Sequence, residues 1–213
     1  MQEALEVIQI KKEDDSLIWA LESSGRFSSK SLYRLMVNPG EVDVRMRDIW
    51  EIKLPLKIKV FLWMLWHDRV QIGEQRKKRK SKHSELCKYC GRLETRDHLF
   101  FNFSITQIIW VWVRVSLRWN RRPTSMTNFQ YMLNAGEIER SKSINFFVLA
   151  SVAWTMWKSK NDWVFNNKLI KTPKAFPHKV LPLLKQWKKI LKTKDQEVME
   201  DTLLKLQEGL RAC

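Results

Sequence analysis

Ile144 to Trp157 reads INFFVLASVAWTMW, an almost unbroken apolar run that meets Lys158 and Lys160 at its end. About 14 residues fall short of the roughly 20 that a membrane-spanning helix needs. The run therefore predicts a buried core helix, continuing through Trp163 and Phe165, and no membrane span. Trp50 to Trp66, WEIKLPLKIKVFLWMLW, carries the same signal: from Val60 onward every residue is apolar, and Pro55 suits the first turn of a helix buried on most sides. Ile105 to Trp119 adds a third helix with a broad apolar face, which Arg121, Arg122 and Pro123 close before a linker.

Beyond the central run the chain predicts helices near residues 176–191 and 196–210. In the last, Met199, Leu203, Leu206 and Leu210 fall four, three and four apart, a single stripe that wants a partner surface. That partner is the chain's own domain by default; a second copy or another protein is the sharper alternative. Near the N-terminus, Leu17 to Glu22 is a short strand candidate followed by the turn residues Ser23, Ser24 and Gly25. Ser28 is placed to cap a helix bearing Leu32, Tyr33, Leu35 and Met36.

The fold class expected is mainly α. It comprises an aromatic-rich helical domain with a short N-terminal β-hairpin and a small zinc-knuckle-like insertion, followed by C-terminal amphipathic helices. The corresponding division is residues 1–120, a linker over 121–143, and a helical region over 144–213. Eleven Trp and ten Phe in 213 residues supply a large apolar core.

Charge points to the surroundings of that core. Lys and Arg number 39 against 23 Asp and Glu, a net charge of +16, which attracts polyanions such as nucleic acid or an anionic membrane surface. One basic block is Arg76, Lys77, Lys78, Arg79, Lys80 and Lys82, expected as exposed loop or frayed helix. Phosphate contact, nuclear import and a merely solvated face are its three readings, so the protein is placed in nucleus or cytoplasm. A second concentration lies between Lys158 and Lys194, where eleven lysines accompany one acid, Asp162.

Three cysteines, Cys87, Cys90 and Cys213, are too few and too odd for a disulfide framework. Cys87-Lys-Tyr-Cys90-Gly91 is a C-x-x-C knuckle that can hold one metal ion in a tight turn. His98, eight residues on, is within reach of a third coordination position. Five residues later stands Phe103, which cannot bind a metal. Two readings stay open: a weakened structural zinc site of three ligands, or no metal, with Phe103 packed into the core.

The ordered motifs resemble the zinc-binding domain that follows the reverse transcriptase in plant LINE-type retrotransposons. They are Asp15-Ser-Leu-Ile-Trp19, Gly25-Arg-Phe-Ser-Ser-Lys-Ser-Leu-Tyr33, Ile49-Trp50, Leu54 to Trp63, His67-Asp-Arg69, Cys87-x-x-Cys90-Gly91, Asp97-His-Leu-Phe-Phe101 and Trp110. A later block, Trp154-Thr-Met-Trp157-Lys-Ser-Lys-Asn161 through Phe165, and the tail from His178 through Gln186-Trp187 to the closing helix, extend the likeness over nearly the whole chain. The family pattern has Cys where Phe103 stands and Arg-Asn where Lys160-Asn161 stands. The resemblance implies zinc, held by Cys87, Cys90 and His98.

Polymerase chemistry needs paired aspartates on a hairpin to hold two metal ions, and Asp14-Asp15 sits in a charged leader without that setting. No carboxylate array suggests ribonuclease H or endonuclease activity. The expectation is a non-catalytic, retrotransposon-derived domain contacting RNA or DNA without sequence preference. The alternative is a protein-interaction module acting through the C-terminal helices.

Overall fold

The computed structural model describes residues 18–20, 22–28, 31, 44–80, 84–138, 141–168 and 172–211. The chain divides into two compact units, Met1–Asp43 and Val44–Cys213.

In the first unit the sequence Ser23-Ser24-Gly25 makes a tight turn. The Gly25 N–H donates to Glu22 O (3.0 Å) and the Trp19 N–H to Gly25 O (2.8 Å). Gly25 takes φ +66°, a conformation that costs glycine nothing. Among the described residues the arms exchange one backbone bond, and Trp19 and Phe27 meet edge-on at 5.0 Å. Among the described residues there is no strand, so the short N-terminal β-hairpin is not supported; Leu17 and Leu21 of the expected strand lie outside them. Ser28 does cap: its Oγ accepts the Ser31 N–H at 3.1 Å, and Ser31 is helical. The apolar positions 32–36 of that helix also lie outside the described residues.

The second unit is built of helices. The first is α1, Val44–Glu51, and α2 is Leu56–Trp66. Trp50 and Trp66 thus belong to different helices, because Pro55 takes the extended φ/ψ of an N-cap and restricts the residue before it. Only one side of α2 is buried, through Ile58, Phe61, Leu62 and Leu65; Val60 is exposed and Trp63 half-buried. A short helix α3, Gly73–Lys78, follows.

After the cysteine knuckle the chain makes a π-helical turn, His98–Asn102, and enters α4, Ser104–Leu117. The extra carbonyls of that turn are satisfied by side chains from α4: Trp110 Nε1–H donates to Phe100 O (2.9 Å) and the Thr106 hydroxyl to Leu99 O (2.8 Å). Residues 121–143, expected as a linker, contain helix α5, Met126–Asn134, with Phe129 and Met132 fully buried.

At the centre lies α6, Lys142–Asn166, which carries the INFFVLASVAWTMW run. From Ile144 to Ala153 every residue is buried, as a helix apolar on all sides demands. Around it pack α2, the π-helical turn, α7 (Pro177–Lys188) and α8 (Thr193–Arg211). The α8 stripe of Met199, Leu203 and Leu206 is buried within this unit, chiefly against α4 and α7. Trp112 Nε1–H closes the α4–α8 contact by donating to Leu206 O at 3.2 Å. Among the described residues no helix is long and apolar enough to cross a membrane.

Candidate metal centre

The knuckle begins and ends at an isolated antiparallel bridge between Leu86 and Leu93. Between them the Cys87 N–H donates to Arg92 O (2.7 Å) and the Gly91 N–H to Cys87 O (2.8 Å). Reversing the chain that tightly puts Gly91 at φ +69°, where a side chain would strain the backbone although nothing stands in its space. The turn aims both thiols the same way. Thr95 Oγ1 accepts the His98 N–H at 3.0 Å and starts the π-helical turn, which swings the imidazole over the knuckle.

The result is convergence. One donor atom each from Cys87, Cys90 and His98 lies within 4.8 Å of the others, with Cys90 Sγ and His98 Nε2 at 3.3 Å. Zinc–sulfur and zinc–nitrogen bonds of about 2.3 and 2.0 Å meeting tetrahedrally would ask for donors separated on this scale. Burial is uneven: Cys87 is enclosed, Cys90 exposed, His98 between them. Burial pushes the Cys87 thiol up to about 11, so a metal must compete with a proton for that sulfur. Burial also lowers the His98 imidazole below its usual range, against the pull of Glu94, which favours the neutral form that ligates metals.

Phe103 packs beside the imidazole. It is buried, its ring centroid 5.8 Å from His98 and 5.0 Å from Tyr89, and Tyr89 in turn packs against Trp163 at 3.9 Å. The three donor residues are spaced to suit a zinc ion, and an aromatic stack shared with α6 packs beside His98.

The knuckle is held on the helical body by residues to which sequence reasoning gave no such role. Glu94 and Lys160 are each about 1% exposed, and the ammonium lies 3.0 Å from Glu94 Oε1. The same oxygen accepts the Gly73 N–H at 2.7 Å and lies 3.7 Å from the Arg76 guanidinium, while Lys160 Nζ donates to Gln71 O at 3.3 Å. Burial drives the Lys160 ammonium below its ordinary pKa, and the Glu94 carboxylate opposes that shift. Gly73 is needed here because a Cβ would stand 2.2 Å from the Glu85 carbonyl oxygen. Arg96 donates to Trp66 O at 3.0 Å at the C-terminal end of α2. Tyr89 adds a hydroxyl bond to Ser159 O at 3.4 Å. One signal was available: a lysine inside an apolar helix demands a buried counter-charge.

Most of the basic block is exposed, as expected, but three of its cations are paired within the chain. Arg76 is turned toward Glu94, Lys77 pairs with Glu85 at 2.5 Å, and Lys78 pairs with Glu74 and Asp68 at 2.9 and 3.8 Å. Arg79 and Lys80 follow α3 as exposed turn residues, and Lys82 lies outside the described residues. By contrast, no salt bridge among the described residues takes up Lys158, Lys168, Lys179, Lys185 or Lys189.

A helical body with a Cys/Cys/His knuckle docked on it presents a cluster of donors that could hold a metal ion. Residues 27–110 match the family described as zinc-binding in reverse transcriptase, and this segment is a retrotransposon-type domain of that family. On its own such a domain is non-catalytic. A provisionally named ribonuclease H protein of Arabidopsis thaliana is 26% identical over 158 residues, a match that takes in 71% of this chain and 25% of that protein. No solved structure gives a significant match.

Proposed function

We propose that this chain is a non-catalytic, retrotransposon-derived accessory domain that binds zinc at Cys87, Cys90 and His98 and contacts RNA or DNA through basic surface. The observation that carries the zinc reading is the convergence of three donor atoms, from two separate turns, inside a segment of the matching family. A bound zinc ion would supply cross-linking between the knuckle and the π-helical turn. The chain's own residues do the rest: Gly91 reverses the backbone, Thr95 orients His98, and Glu94 with Lys160 ties the knuckle to α6.

Nucleic-acid contact is supported by the net charge of +16 and by lysines without acid partners on the C-terminal helices. Such contact is electrostatic, so its affinity falls steeply with salt and reads little sequence. The alternative, a protein-interaction module acting through the C-terminal helices, loses its simplest surface, since Met199, Leu203 and Leu206 are covered by the chain itself.

Two measurements test the proposal. Elemental analysis of the purified chain, with Cys87→Ser beside it, is expected to find zinc in the first and none in the second; equal metal in both would refute the ligand assignment. Anisotropy titration of a labelled oligonucleotide is expected to give binding that weakens by an order of magnitude or more from low to moderate salt. Salt-independent binding would refute the electrostatic reading.

A further inference from the structure

Where α6 and α7 face one another, polar side chains replace apolar ones along one stretch. On α6, Thr155, Lys158 and Asp162 stand three and four residues apart and so share a side of the helix. On α7, Lys179, Pro182, Leu183 and Gln186 do the same. With His178 these residues line one open cleft of about 400 Å³. Small-molecule sites occupy about 300–1,000 Å³, so the cleft is of a size for one compact ligand. No salt bridge among the described residues engages Lys158, Lys179 or Asp162. The Asp162 carboxylate accepts a long bond from Asn166 Nδ2 at 3.4 Å.

Two further groups here lack partners. Thr155, the most buried of the lining residues at 3% exposure, has a hydroxyl with no hydrogen-bond partner among the described residues. Threonine in a helix divides between two χ1 rotamers, so this hydroxyl turns toward the cleft without breaking a bond. Pro182 lies inside α7 and has no N–H, which deprives the His178 carbonyl of its helical partner four residues on. The cleft therefore offers donors (Lys158, Lys179, Gln186, Thr155), acceptors (Asp162 and the His178 carbonyl) and an apolar wall of Pro182 and Leu183.

We propose that this cleft binds a small organic phosphate monoester with a hydroxylated, partly apolar body, the chemistry of a ribonucleoside monophosphate. Lys158 and Lys179 meet the phosphate as charge-assisted donors. Asp162 and the His178 carbonyl accept from the sugar hydroxyls, and Pro182 and Leu183 pack against the base. The carboxylate decides against a bare anion, which it would repel; it suits a ligand that brings hydroxyls as well as charge. This site goes beyond the electrostatic surface contact proposed above and depends neither on it nor on zinc.

Isothermal titration calorimetry of the full chain tests this, with adenosine monophosphate as probe and adenosine, inorganic phosphate and succinate as comparisons. The nucleotide is expected to bind at a single site, with each comparison compound at least roughly tenfold weaker, since each lacks part of the contacts. Lys158→Gln/Lys179→Gln replaces exposed side chains, and circular dichroism checks its fold. That double variant is expected to weaken the nucleotide by more than about tenfold and leave adenosine unchanged, as two charge-assisted bonds are lost. Thr155→Val is expected to weaken the nucleotide severalfold while the melting temperature holds or rises. Valine removes a buried hydroxyl that has no partner in the free fold, whereas general damage would lower both readings. No binding at millimolar nucleotide, equal binding by the double variant, or succinate matching the nucleotide overturns the assignment. A labelled oligonucleotide titrated in parallel keeps the two readings apart. If it binds and the nucleotide does not, the cleft proposal alone fails; if only the nucleotide binds, the surface reading fails and the cleft stands.

Discussion

At the proposed zinc site a single side chain stands between three candidate donors and four. Phe103 is buried against His98 and Tyr89, in the position where the related pattern carries a cysteine. Phe103→Cys is expected to raise zinc to about one per chain and to lower its dissociation rate in a chelator chase, since four donors close the coordination sphere. Unchanged metal content would mean that residue 103 does not face the ion. The Glu94–Lys160 pair makes a second residue-scale claim. Glu94→Gln keeps an oxygen for the Gly73 N–H but leaves a buried ammonium without a counter-charge, which costs about 3–5 kcal/mol. Urea unfolding measures this, and Glu94→Gln combined with Lys160→Met is expected to recover most of the loss. A single-variant cost below about 1 kcal/mol would show that the pair does not hold the knuckle. The cluster of Cys87, Cys90 and His98 was legible from spacing. Glu94 and Lys160 were not, because 66 residues of chain separate two charges that only folding brings to 3.0 Å.

Helices were the most legible elements. The central run, the two C-terminal helices and the Ser28 cap follow from periodicity and local hydrogen bonding, which act within a few residues. Elements set by competition between neighbours were harder to read. Pro55 divides Trp50–Trp66 between α1 and α2, and Phe129 and Met132 draw part of an expected linker into the core as α5. The α8 stripe was visible from its spacing, but its partner was not. Because Leu206 is fully buried, Leu206→Asp is expected to destabilise the fold by more than about 3 kcal/mol through an unpaired buried charge. Thermal melting and light scattering check this together. A monomer–dimer change with unaltered melting would return the stripe to the role of a docking face.

Over the whole molecule, +16 is a force for solubility and for polyanion binding, and a strain on the compact state. Salt acts on the two in opposite directions. Raising ionic strength from about 20 to about 300 mM screens self-repulsion, so the melting temperature is expected to rise by a few degrees while oligonucleotide affinity falls. Scanning calorimetry across that range checks the first half, and a melting temperature that drops would mean the native ion pairs outweigh the repulsion. Amino-acid order by itself determined the helical class, the buried central helix, the Cys87, Cys90 and His98 cluster and the excess of positive charge, since each depends on residue type at short spacing. Only tertiary structure decided which charges remain available. Folding brings Asp68, Glu74, Glu85 and Glu94 onto the basic block, encloses Lys160, and leaves Lys158 and Lys179 facing an open cleft. Coulomb attraction depends on distance in space, and distance in space is what the fold sets.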